Sequence, residues 1–205
     1  MSPRRSDARK RMLDAASTLV RERGASATSL DDILAHSQAP RGSVYYHFPG
    51  GRTQLIEEAL EHAGEDILQF IAGDGTPAEV FAAFIAAWRD GLIASEFRAG
   101  CPVLAVAIEF NKETPQLTDA AARAFTSWRT AFAVLLRRHG VPPAEARRLS
   151  NLVIAAVEGA VAISRADRSI QPLDDVARTL RPLLHETVAR GFGPRPPARE
   201  REAPH

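Results

Sequence analysis

The chain has 205 residues, 45% apolar and 25% charged, with a net charge of +1, which suits one or two folded domains and excludes a collagen-like or largely disordered chain. Its longest uninterrupted apolar run, Phe81 to Trp88, is far shorter than the roughly 18 residues that span a bilayer, and its basic N-terminus leads into no apolar signal core; a soluble cytosolic protein with no membrane partner is expected. The single cysteine, Cys101, excludes an internal disulfide or a cysteine-built zinc site, and a packed thiol is expected there in preference to a redox sensor.

The near-zero total conceals an asymmetry. Residues 1–52 hold nine Lys/Arg against five Asp/Glu, whereas residues 53–190 hold fourteen against eighteen. A basic segment attracts a polyanion by neutralising phosphates and releasing counterions, and an acidic one is repelled from it. The chain therefore divides into a small basic head and a larger acidic body.

In chain order, apolar residues recur at helical spacing nearly throughout. Met12, Leu13, Ala16, Leu19 and Val20 mark a helix over about 6–23 that stops at Gly24. Ser29 and Asp32 form a capping-box pattern opening a short helix through His36. Pro40 suits the first turn of another short helix, which ends near His47 before Pro49, Gly50 and Gly51. A long amphipathic helix is predicted over 52–71, followed by helices over 78–95, 103–112, 117–139, 143–168 and 173–190. Pro182 should kink or divide the last of these. Residues 191–205 hold four prolines and no periodic apolar face, and read as a disordered tail. No strand pattern or internal repeat appears, so the expected fold is all-α.

Two short helices joined by a tight turn, after a longer basic helix, are the parts of a helix-turn-helix, whose second helix lies in the major groove of DNA. Here that helix carries Arg41, Gly42, Ser43, Val44, Tyr45, Tyr46 and His47. Val44 and Phe48 are expected in the core, and Gly42 would allow close approach of backbone to DNA. Arg4, Arg5, Arg9, Lys10 and Arg11 form either a solvated charge run or a supplementary DNA-binding arm.

The run from Thr28 through Ile33, then Arg41-Gly42-Ser43-Val44-Tyr45-Tyr46-His47-Phe48-Pro49 with a basic residue and Leu55 behind it, resembles the N-terminal domain of TetR-family transcriptional repressors over about residues 8–60. Pro49-Gly50-Gly51-Arg52, Gly100-Cys101-Pro102 and Glu158-Gly159-Ala160 resemble the LmrA/YxaF-like subgroup. The resemblance implies phosphate contacts by Thr28, Tyr46, His47 and Arg52, and base-edge contacts by Arg41, Ser43 and Tyr45. It departs from the family at the turn, where Ser37, Gln38, Ala39 and Pro40 stand in place of the usual Gly, Val and Ser. The implied architecture is a DNA-binding head over 1–52, an effector-binding and dimerisation body over 53–190 and the tail. Its partners would be a palindromic DNA operator, a small apolar or amphipathic effector and a second copy of the chain.

Helix 143–168 is apolar nearly all round, the pattern of a helix buried on two sides. With 173–190 it is expected to form a four-helix dimer interface. Glu158 interrupts its apolar run. A buried carboxylate is costly unless paired, so it meets Arg165 two turns on, meets a dimer partner, or faces a ligand cavity. For that cavity the aromatic and polar candidates are Phe81, Phe84, Trp88, Glu109, Phe110, Phe125 and Trp128, with Trp88, Phe110 and Trp128 preferred.

Enzymatic readings find little support. Gly-x-Ser-x-Gly, His-Glu-x-x-His, a phosphate-binding Gly-Lys-Ser/Thr loop and a Rossmann fingerprint are all absent from the sequence, and no cofactor is expected. Glu61, His62, Glu65 and Asp66 have metal-like spacing, but read as a solvated charge stripe. A helical adaptor binding a protein partner is the remaining alternative, against which the basic head argues.

Overall fold

The structure, a computed structural model, describes residues 3–109 and 114–191. Its described residues form nine α-helices and one 3-10 turn, with no strand. The first helix, α1, spans Pro3–Arg23 and closes at Gly24, which adopts φ +86° and donates its N–H to the Val20 carbonyl. It starts earlier than its apolar period shows, so the basic N-terminal residues from Pro3 onward belong to a helix.

Helix α2, Leu30–Ser37, has the expected capping box. Ser29 Oγ accepts from the Asp32 N–H at 3.1 Å, and the Asp32 carboxylate accepts from the Ser29 N–H at 3.0 Å. These bonds, with Arg23 nearby, hold the Asp32 carboxyl below the usual carboxylate range. Pro40 lies one position outside the next helical segment: a 3-10 turn over Arg41–Ser43 precedes α3, Val44–His47. The Ser43 hydroxyl donates to the Pro40 carbonyl at 2.7 Å and tightens that turn.

Helix α4, Gly51–Ile71, leads from the head into the body, where α5 (Pro77–Ala94), α6 (Pro102–Ile108), α7 (Pro115–Arg138), α8 (Pro143–Asp167) and α9 (Gln171–Gly191) follow. α4 packs on α1 and α7, α8 lies between α7 and α9, and α5 packs on α9. Helix α5 opens on a second reciprocal cap, Thr76 with Glu79, whose carboxyl is lowered by those bonds. α6 is shorter than expected, because Glu109 takes an extended conformation at its C-terminal cap. α9 is continuous across Pro182, so the predicted division does not occur. Leu180 and Leu184 are buried on either side of the proline, while Arg178 and Pro182 face solvent. Tertiary packing of Leu180 and Leu184 holds the helix despite the bond that Pro182 cannot donate.

One apolar core runs through both regions, from Met12, Ile33, Val44 and Phe48 in the head to Phe81, Trp128, Val157 and Leu184 in the body. α8 is long and apolar enough to cross a membrane by composition, but about half of that stretch is buried within the bundle. The tail beyond Gly191, expected to be disordered, lies outside the described residues.

Candidate nucleic-acid interface and ligand cavity

The head presents α3 by burying one side of it. Val44 and Phe48 are fully enclosed, and Tyr45 and Tyr46 consequently stand 63% and 64% exposed. Their apolar neighbours fix the helix, and the two phenol rings lie at the surface. His47 is half-buried, with its ring edge-on to Tyr46 at 5.0 Å between centroids. A Cβ placed on Gly42 would meet nothing within 4 Å, so no intramolecular packing demands a glycine there. Tyr46, His47, Gly42 and Ser43 line a concavity with Asp7 and Arg11 of α1.

The basic residues of this surface have internal partners. Arg41 pairs with Asp31 at 2.7 Å, both well exposed; such surface pairs contribute only about 0–1 kcal/mol and yield readily to a stronger anion. Arg9 pairs with Glu58 and stacks over the Phe48 ring, Lys10 pairs with Asp14, and Arg11 pairs with Asp7 while donating to the Ser37 carbonyl at 3.0 Å. The Asp14 carboxylate raises the Lys10 ammonium above its ordinary value.

Thr28 and Arg52 occupy different places from those the resemblance implies. The Thr28 side chain is fully buried and its hydroxyl donates to the Gly24 carbonyl at 2.7 Å. Arg52 donates to the Thr28 carbonyl at 2.6 Å and also to the Ala25 carbonyl. In this conformation the pair braces the α1–α2 turn from within, and the hydroxyl is not presented to a phosphate. Ser43, Tyr45, Tyr46, His47 and Arg41 share the outer surface.

In the body, an open, pocket-like cavity of about 750 Å³ lies among α6, α7 and α8, a size suited to a drug-sized ligand. Its walls include Leu104, Ile108, Phe125, Ile154 and Gly159, with Glu158, Asn151, Thr126 and Arg129 as polar members. Glu158 is 5% exposed and its Oε2 has no hydrogen-bond partner. Burial pushes its carboxyl up to about 7, only partly offset by a hydrogen bond from the Cys101 thiol. Cys101 is buried, and burial followed by the adjacent Glu158 raises its thiol well above the ordinary range. The packed reading of this cysteine therefore fits its surroundings.

The Glu158–Arg165 pair is not formed, because Arg165 donates instead to the Glu22 carbonyl at the end of α1. Trp128 is fully enclosed, with its indole N–H given to the Gly64 carbonyl at 3.0 Å, and it fastens α7 to α4 without lining the cavity. Trp88 is also away from these walls, packed edge-on to Phe84 with its indole N–H unpartnered. Phe110 lies outside the described residues. Asn151, not singled out from the sequence, does line the cavity; its spacing of seven from Glu158 puts both on one face of α8 and was the available signal.

Glu109 faces the head. Its carboxylate accepts from the Ser26 N–H at 2.9 Å and the Ser26 hydroxyl at 2.8 Å, and a Cβ on Gly24 would collide with it. Arg21 strengthens the same seam, donating to the Gly100 carbonyl at 3.0 Å while the Gly100 N–H donates to the Arg21 carbonyl at 2.9 Å. α6 therefore contributes Leu104 and Ile108 to the cavity and Glu109 to the α1–α2 turn. The described residues contain no group of three or more His, Cys, Asp or Glu placed to hold a metal. Glu61 pairs instead with Arg123, which also meets Glu57.

Comparison with known proteins finds relatives for both regions of the chain. Residues 12–59 match the bacterial regulatory proteins of the tetR family, and residues 77–179 match the C-terminal domain of LmrA/YxaF-like transcriptional regulators. The chain is 43% identical over 182 residues to the HTH-type transcriptional regulator Rv0196 of Mycobacterium tuberculosis, covering 86% of this chain and 93% of that protein. It is 33% identical to the HTH-type transcriptional regulator LmrA of Bacillus subtilis, covering 87% and 97%. Among solved structures, a regulatory protein TetR from Rhodobacter sphaeroides has the same fold with a TM-score of 0.76 at 20% identity, covering 85% of this chain and 97% of that one. A TetR regulator from Chloroflexus aurantiacus gives 0.72 at 26%, covering 91% and 98%. The chain belongs to the TetR family of transcriptional regulators, with a C-terminal domain of the LmrA/YxaF-like type, and is a DNA-binding protein and not an enzyme.

Proposed function

We propose that this regulator is a repressor that binds a palindromic operator as a homodimer and leaves it when a small apolar or amphipathic effector enters the α6–α7–α8 cavity. The observation that carries the reading is the position of α6: Leu104 and Ile108 form part of the cavity wall, and Glu109 at its end holds Ser26 of the head. A ligand that displaces α6 acts on the head through that bond, to the extent that it prefers one conformer over the other. α4, continuous from head to body and fastened to α7 by Trp128, would carry the same displacement to α3.

On the DNA, Tyr46 and His47 would meet phosphates, and Arg41, Ser43 and Tyr45 would meet base edges. Arg52 and Thr28 would act by holding the α1–α2 turn. The dimer surface would be formed by α8 and α9: Leu152 and Ile163 are 47% and 53% exposed on α8, with Gly159 between them allowing close approach. Two-fold pairing there would match a palindrome, because protein and operator symmetry correspond. The working compartment would be the cytoplasm, where the DNA lies.

The test is retention of sheared DNA from the source organism on the purified chain at about 150 mM salt, where non-specific phosphate attraction is weakened. One enriched palindrome is the expected result. Retention with no shared motif overturns the operator reading, and a monomer in sedimentation at the same concentration overturns the dimeric one.

A further inference from the structure

The effector cavity contains a group that an apolar pocket does not need. Glu158 projects from α8 into walls formed largely by Leu104, Phe125 and Ile154. Its Oε2 is buried with no hydrogen-bond partner. The polar side chains around it make no hydrogen bond to that oxygen. The Cys101 thiol, at the N-terminal cap of α6, is uncharged and donates a single weak bond. Arg129, on α7, shares the wall, but its Nε and Nη2 donate to the Phe125 carbonyl and the Thr126 hydroxyl of its own helix. Arg165 reaches across to Glu22. A carboxylate left thus in a low-dielectric wall is costly unless a cation or strong donor joins it.

We propose that this cavity takes an apolar amine, cationic at neutral pH, whose ammonium donates to Glu158 Oε2 while its hydrocarbon body lies against Phe125, Leu104 and Ile154. The proposal rests on the reading of the cavity as the effector site and adds the chemical class of its occupant. An ammonium supplies both the missing donor and the missing charge. An anionic ligand of the same shape meets the carboxylate unfavourably, and a neutral one recovers only the hydrogen bond. The raised Glu158 carboxyl is consistent with a site that lacks its cation and that ionises fully when the cation arrives.

Three probes of similar shape separate the possibilities: naphthylethylamine, naphthylethanol and naphthylacetate, each titrated into the full chain at neutral pH and followed by naphthyl fluorescence. The amine should bind roughly 10- to 100-fold more tightly than the alcohol, as a charge-assisted hydrogen bond allows, and the acetate least. Glu158→Gln should bring the amine down to the alcohol and leave the alcohol nearly unchanged. The comparison on the natural protein does not depend on the folding of that variant. Equal binding of amine and alcohol overturns the proposed ligand class while leaving the cavity as an effector site. Binding of none of the three overturns both.

Discussion

Helix α3 and helix α8 carry their functional groups in opposite ways. On α3, Val44 and Phe48 are buried and Tyr45 and Tyr46 remain in water, so the groups offered to a partner cost the folded state little. On α8, Glu158 is held in an apolar wall with one oxygen unpartnered, so the group proposed to meet a ligand is kept at the expense of stability. The head should therefore lose binding without losing its fold when its outer groups change. The body should gain stability when its buried one is neutralised.

The largest effect should come from the inner side of the head. Phe48→Ala should destabilise the protein by about 3–5 kcal/mol, the usual cost of emptying an aromatic core position, and abolish DNA binding with it. Tyr46→Phe should leave the urea midpoint almost unchanged, within about 0.5 kcal/mol, and lower operator affinity roughly tenfold or more by removing a donor to a charged oxygen. The loss should be uniform across operator sequences, as expected for a phosphate contact. A loss confined to one base position would show that the ring reads sequence.

The contrast sharpens with pH. Glu158 ionises near its ordinary 4.5 when unfolded and at about 7 when folded. Below 4.5 it is protonated in both states and imposes no penalty. Between those values the folded chain retains a proton that the unfolded chain has released, so stability falls as pH rises; above 7 the loss is complete. The shift corresponds to about 3 kcal/mol. Urea unfolding at pH 5 and pH 8 should show Glu158→Gln gaining about that much over the natural protein at the higher pH and much less at the lower one. An equal gap at both would mean that the carboxyl is not proton-linked to folding. The Cys101 thiol, the titratable group against Glu158, is raised well above its ordinary range and does not titrate in this window.

How far each region was legible in the sequence follows from the range of its interactions. The Ser29–Asp32 cap and the inward placing of Val44 and Phe48 depend on neighbours within one or two turns, and the pattern of residue types shows them. The inward turn of Thr28 and Arg52 depends on the backbone path from Gly24 to Ser29, which no spacing rule describes. In the body the partners are distant: Trp128 bonds to Gly64, and Arg165 to Glu22. Seven-residue spacing puts Glu158 and Arg165 on one side of α8, and a carbonyl on α1 takes the arginine. The same spacing places Asn151 with Glu158, yet which of α8's apolar sides opens on a cavity depends on how α6 and α7 pack there.

The seam between the two regions offers a smaller perturbation. Ser26→Ala removes the hydroxyl that Glu109 accepts at 2.8 Å but keeps the backbone bond at 2.9 Å. It should cost about 1 kcal/mol of stability and leave operator affinity without ligand nearly unchanged. The loss of operator affinity produced by saturating naphthylethylamine should shrink, because part of the link from α6 to the head is gone. If that loss is undiminished, the Ser26 hydroxyl has no part in the coupling, which then travels through α4, the Arg21–Gly100 bonds or the remaining Ser26 N–H bond.

The smallest effect lies in the turn between α2 and α3. Gln38 adopts φ 53° and ψ 31°, the left-handed region, which costs an L-residue roughly 1–2 kcal/mol. Gln38→Gly removes that strain but frees the unfolded chain, for a net gain of about 0.5–1 kcal/mol in urea unfolding. The turn's anchors do not involve the Gln38 side chain: the Ser37 hydroxyl accepts from the Ala39 N–H, and Arg11 holds the Ser37 carbonyl. The angle between α2 and α3 should therefore persist, and operator affinity should be unaltered. A variant that became more stable but bound the operator less well would place the Gln38 amide on the DNA and give this head a contact on the turn as well as on α3.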